Sequence, residues 1–174
     1  MHRNRAGEIL DTDPPPSTGS HAESFELVTL WEVVRDCRSR IGKSFGYLGR
    51  ELADALALAV SELAENVVKY AALESAMRPS LTVRVTATRI CVRSENSART
   101  EYDARLACSL VAKVAAEMAQ LDPALAYARA IEQTLARKKG LSRQGFYRIA
   151  AVGGFQLRAE RNGKLLSIIG ERTR

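Results

Sequence analysis

Between Leu56 and Tyr70 the chain reads LALAVSELAENVVKY. Leu56, Val60, Leu63, Val67 and Tyr70 recur at helical spacing, and Ala53, Ala57, Ala64 and Val68 widen the apolar arc. A helix this apolar is expected to be buried, and a buried helix keeps polar groups only where something satisfies them. Glu62, Asn66 and Lys69 nevertheless share one narrow stripe. At ~100° per residue, Glu62 and Asn66 are about 40° apart and Lys69 lies roughly 20° to the other side of Glu62. A carboxylate, an amide and an ammonium placed together suit an oxygen-rich ligand or a metal–phosphate complex. The competing reading is a solvated edge, with Glu65 and Lys69 as an ordinary i,i+4 ion pair.

Upstream, Leu30 to about Phe45 has the pattern of an amphipathic helix. Gly46 and Gly49 flank a short connection, and the long second helix runs from about Arg50 to Leu73. Ser24–Thr29 alternates as a first strand. Met1 to about Ala22 is polar and contains Asp13-Pro14-Pro15-Pro16, too little apolar surface to offset its ordering entropy. Residues 1–23 are therefore expected to be a disordered tail and 24–174 a single domain.

Downstream, Ser80–Ala87 and Arg89–Glu95 alternate as an antiparallel hairpin. Glu101–Lys139 returns to helix and splits in two at Asp122-Pro123, an N-cap followed by proline at the first helical position. Arg137-Lys138-Lys139-Gly140 has the cations and glycine of a helix C-terminus, with a phosphate-facing role as the alternative. Gly145–Val152 reads as a short helix closed by Gly153-Gly154. Gln156–Ile169 reads as a hairpin turning at Asn162-Gly163, since both residues tolerate positive φ. Antiparallel strands with helices gathered on one face make an α+β, two-layer α/β sandwich, its sheet mostly antiparallel.

The 174 residues, 46% hydrophobic and 26% charged, suffice for one domain with a full core. No apolar run approaches the ~20 residues of a membrane span, and no h-region marks a signal peptide, so the expected compartment is the cytoplasm. Three widely spaced cysteines without a CxxC pair argue against zinc or a disulfide framework, and buried, reduced thiols are expected. Both histidines, His2 and His21, fall in the expected tail, which removes His-dependent triads from consideration. The net charge of +6 is not gathered into a stripe with interleaved aromatics, so nucleic acid is poorly supported as a partner. An anionic nucleotide or an acidic protein would use the same charge.

The order strand, helix, helix, hairpin, helices, short helix, hairpin, with Glu62, Asn66, Lys69 and Tyr70 as E-x-x-x-N-x-x-K-Y, resembles the GHKL ATPase/kinase superfamily and its Bergerat fold. The pattern looks like that superfamily's N-box. Gly140-Leu141, then Gly145-Phe146-Tyr147-Arg148-Ile149-Ala150 and Gly153-Gly154-Phe155, bring the chain closest to SiaB-type bacterial signalling kinases, which resemble anti-sigma-factor kinases. The resemblance implies a protein that binds Mg-ATP and phosphorylates serine or threonine of a small regulatory partner, SiaC-like or anti-sigma-antagonist-like, in a partner-switching system. It implies that Asn66 holds the Mg2+ ion, that Lys69 lies towards the phosphates, and that Glu62 orients or deprotonates the attacking hydroxyl. Tyr70 completes the N-box.

Where the superfamily has D-x-G-x-G, this chain has Ser94-Glu95-Asn96-Ser97-Ala98, with Glu95 or Asn96 left to meet the adenine edge. Gly140, Arg143 and Gly145 stand in the place of the glycine-rich phosphate lid. That departure leaves a second expectation, a non-catalytic binding module of the same fold. Related kinases pair through their sheets or first helices, so a homodimer is a further expected partnership.

Overall fold

The computed structural model describes residues 20–26, 31–72, 75–136 and 144–174. Its strands are β1 (His21–Glu26), β2 (Ser80–Val85), β3 (Arg89–Ser97), β4 (Gln156–Asn162) and β5 (Leu165–Thr173). They form one sheet in the order β1-β2-β3-β5-β4, antiparallel at every described pairing. The helices are α1 (Trp31–Ser44), α2 (Arg50–Tyr70), α3 (Glu101–Gln120), α4 (Pro123–Ala136) and α5 (Gln144–Tyr147), which continues into a π-helical turn over Arg148–Val152. The result is a two-layer α+β arrangement.

The core follows from the two periodicities. Alternate residues Leu81, Val83 and Val85 of β2 and Ile90 and Val92 of β3 are buried, as are Leu166 and Ile168 of β5. They share one apolar cluster with Leu56, Val60, Leu63 and Val67, the buried stripe of α2. Gly49, with φ of 82°, turns the chain out of a 3-10 turn at Gly46–Leu48 and into α2. The helix stops at Ala71, which is extended and bridges to Ala98 at the end of β3. It is thus shorter than the sequence pattern suggested; Leu73 lies outside the described residues.

The split at Asp122-Pro123 is present, with Asp122 Oδ1 accepting from the amides of Ala124 and Leu125. Thr100 and Asp103 form a full capping box at the start of α3. Three expectations need correction. The first strand starts at His21, so His21, Ala22 and Glu23 belong to the sheet, pairing with Val85, Arg84 and Val83. What recruits them is tertiary contact: the His21 ring lies 4.7 Å from that of Phe45, and Glu23 accepts from Arg40 and Ser44. A histidine therefore does lie in the fold. Second, the last hairpin turns at Gly163-Lys164, with Asn162 paired to Leu165 and Gly163 at φ 58°. Third, of the three free cysteines only Cys37 is buried; Cys91 and Cys108 are half-buried. The rest of the expected tail, residues 1–19, the run Arg137–Gly140 and Arg143 lie outside the described residues. Among those described, no helix is long and apolar enough to cross a membrane.

Candidate functional site

A cavity of about 290 Å³ opens between α2, β3, the start of α3, α5 and β5. The alternation of β3 builds one wall. Ile90 and Val92 point into the core, and the next two residues on the same face, Ser94 and Asn96, line the cavity while staying 1% and 5% exposed. From α2 come Asn66, Val67 and Tyr70 at i, i+1 and i+4. From α3 come Asp103, Ala107 and Leu110 at i, i+4 and i+7, one helical face. Phe146, Leu166 and Ile168 close the inner end with apolar surface.

Two side-chain amides line this space, and one of them is buried without a partner. Asn66 Nδ2 is buried without a hydrogen-bond partner. Asn96, a buried residue of β3, presents its amide on the sheet wall of the same space. Leaving a polar group buried and unpaired costs about 1–3 kcal/mol, so the Asn66 amide nitrogen on the wall of a cavity is an observation that a ligand would explain.

The polar stripe of α2 does not converge on that ligand space. Glu62 is buried and turns instead towards α5 and the π-helical turn, where Arg148 Nη1 donates to its carboxylate. Burial raises the Glu62 carboxyl above the usual range, an effect the Arg148 guanidinium partly counters. Gly145 passes so close that a Cβ there would lie 2.7 Å from Glu62 Oε2 and 3.8 Å from Asn66 Nδ2. Lys69 pairs with Glu65 at 2.9 Å, the i,i+4 ion pair of the solvated-edge reading, and is not part of the cavity wall.

The expected residues are thus divided. Asn66, Tyr70 and Asn96 line the cavity, and Gly145 backs onto Asn66. Glu95 does not join them: as the neighbour of Asn96 in a strand it points to the opposite face, where it accepts from Arg93 and Ser167. Gly140 and Arg143 lie outside the described residues. Ser94, Arg99, Asp103 and Phe146 belong to the cavity without having been expected there. Only Ser94 left a signal, a serine in register with Ile90 and Val92 on a core-facing strand.

For a divalent cation the donor set is sparse. Among the described residues no three His, Cys, Asp or Glu side chains come together. Asn66 fits as a single protein ligand: turned end for end, its amide puts Oδ1 where the unpaired Nδ2 stands. Magnesium keeps several waters and takes phosphate oxygens, so one amide oxygen is compatible with it. No family model matches the chain, and a search of curated proteins finds no match either.

Proposed function

We propose that this chain is a bacterial signalling kinase of the GHKL type, Bergerat-like in fold. In this reading it binds Mg-ATP in the cavity beside Asn66 and phosphorylates serine or threonine of a small regulatory partner protein. The observation that supports it is the buried, unpaired amide nitrogen of Asn66, with Asn96 across from it, in a cavity with an apolar inner end. Val67, Leu110, Phe146 and Ile168 suit a flat heteroaromatic ring, and the amides suit its hydrogen-bonding edge and a metal–phosphate group. When bound, magnesium would neutralise charge on the phosphates, while Asn66 fixes its place.

A second reading has its own observation. Arg148 holds the Glu62 carboxylate, so the residue expected to act on an attacking hydroxyl is occupied in a structural ion pair. A non-catalytic module that binds nucleotide, or a partner, without transfer fits that pairing.

Calorimetric titration of the purified chain with ATP tests the binding step, with and without magnesium. Asn66→Ala is expected to weaken Mg-ATP by about tenfold, the loss of one hydrogen bond to a charged group. Absence of magnesium-dependent binding in the wild type refutes the kinase reading. Binding without transfer of the γ-phosphate to an anti-sigma-antagonist-like partner selects the second reading.

A further inference from the structure

We propose that Arg99 binds the anionic group of the ligand at the mouth of the cavity, an assignment that rests on the nucleotide reading above. The cavity is graded along its length. Its inner end is formed by Ser94, Leu110, Phe146 and Ile168, with Ser94 directly opposite Ile168 in the β3–β5 ladder. Its outer end is formed by Tyr70, Ala98, Arg99 and Asp103, where α2 finishes, Ala71 bridges Ala98, and Thr100 caps α3. Asp103 and Leu110 are about 10 Å apart along α3, and Asn66 and Tyr70 about 6 Å apart along α2. Arg99 and Thr100 are exposed, so this charged end is the open one.

The guanidinium is already positioned. Arg99 Nη2 donates to the Lys69 carbonyl at 3.2 Å, which ties the side chain to the last turn of α2. That is its only hydrogen bond among the described residues, and a guanidinium has five N–H donors in a fixed fork. The carboxylate of Asp103 shares the mouth, with Oδ2 accepting from the Thr100 amide and hydroxyl at 3.1 and 2.8 Å. It repels an anion from the α3 side, which leaves the α2 side, below Asn66, as the place for one. A ligand with an apolar ring inward and phosphates outward matches this gradient. The buried, unpaired amide nitrogen of Asn66 on the cavity wall is the independent sign that the space takes a polar ligand. The cation lining the mouth is then Arg99, and not Lys69, whose ammonium lies against Glu65.

Calorimetric titration of the full chain with adenosine and with Mg-ATP tests the assignment. The wild type is expected to bind Mg-ATP at least about tenfold more tightly than adenosine, a difference that narrows as salt is raised. Arg99→Gln is expected to lose about tenfold in Mg-ATP affinity while leaving adenosine unchanged within about twofold. Arg99→Lys, which keeps the charge, recovers most of the loss, and Lys69→Gln has little effect. Equal losses for both ligands, or no loss for Mg-ATP, overturn the role of Arg99. If adenosine binds and Arg99→Gln leaves Mg-ATP unaffected, the role of Arg99 falls and the nucleotide reading stands. If neither ligand binds the wild type, both fall.

Discussion

Gly145→Ala is a sharp probe of the region behind the site. A Cβ at this position would stand 2.7 Å from Glu62 Oε2 and 3.7 Å from its Cδ. The far end of a glutamate side chain ordinarily swings aside at little cost. Here it cannot do so freely, because Glu62 is 8% exposed and held by Arg148. Forcing extra volume into such a packed place costs about 1–3 kcal/mol. Alanine is the better helix former by up to about 1 kcal/mol, but α5 is a single turn, so only part of that gain is realised. The expected net loss is about 1–2 kcal/mol, a fall in Tm of about 2–8 °C for a chain of this size.

The decisive measurement is a double-mutant cycle with Glu62→Ala, read by thermal and urea denaturation. Glu62→Ala removes the atoms in the way, so Gly145→Ala in that background is expected to be neutral or stabilising. The coupling between the two sites should then be at least about 1 kcal/mol. If Gly145→Ala costs the same in both backgrounds, to within about 0.3 kcal/mol, the carboxylate does not limit this position and its close approach to Gly145 is refuted.

Glu62 also gives a pH dependence, its sign set by burial. Burial, the larger influence, raises its folded-state pKa above the ordinary 4.5, so the folded chain holds this proton to higher pH than the unfolded chain does. The associated stability is fully present below about pH 4.5 and is lost as pH rises through the folded value. Urea denaturation across this range is expected to shift the stability difference towards Glu62→Gln as pH rises; a flat or opposite trend would mean that Arg148 outweighs burial. At the start of α3, Thr100→Ala removes a side chain that accepts from the Asp103 amide at 3.0 Å and donates to its carboxylate at 2.8 Å. A loss of about 1 kcal/mol is expected from denaturation curves, largely restored by serine; a loss indistinguishable from zero would show the capping box to be unimportant here.

Much of this architecture is legible in local pattern because the buried faces are regular. The alternation through Ile90, Val92, Ser94 and Asn96 even assigns Asn96 to the helix side and Glu95 to the other, by parity alone. The last hairpin is not decided by local pattern. Turning at Asn162-Gly163 or at Gly163-Lys164 shifts the pairing by two residues and buries the same faces, so hydrophobic alternation does not separate the two registers. The one adopted puts glycine, at φ 58°, in the first loop position and leaves Asn162 in the strand. His21 carries no local signal at all, since its place depends on Phe45 and Tyr47 some two dozen residues later. Arg99, Asp103 and Phe146 meet only because α3 and α5 pack over one end of the sheet, which no window of sequence encodes.

The stripe on α2 looks convergent on a helical wheel and is divergent in the fold. Within about 60° of arc, Glu62 faces Arg148 and Gly145, Asn66 faces the cavity, and Lys69 reaches outward to Glu65. The first and last members are satisfied within the protein, and their pairings would be favourable whether or not a ligand binds. Asn66 is different: its buried amide nitrogen is unpaired without one, and Asn96 lines the same cavity across from it. An ion pair such as Glu62–Arg148 is compatible with a purely structural role, whereas an unpaired buried amide costs about 1–3 kcal/mol that packing alone does not return. Ligand binding therefore has to be tested at Asn66 and Asn96, and a defect confined to Glu62 variants would not by itself establish a catalytic base.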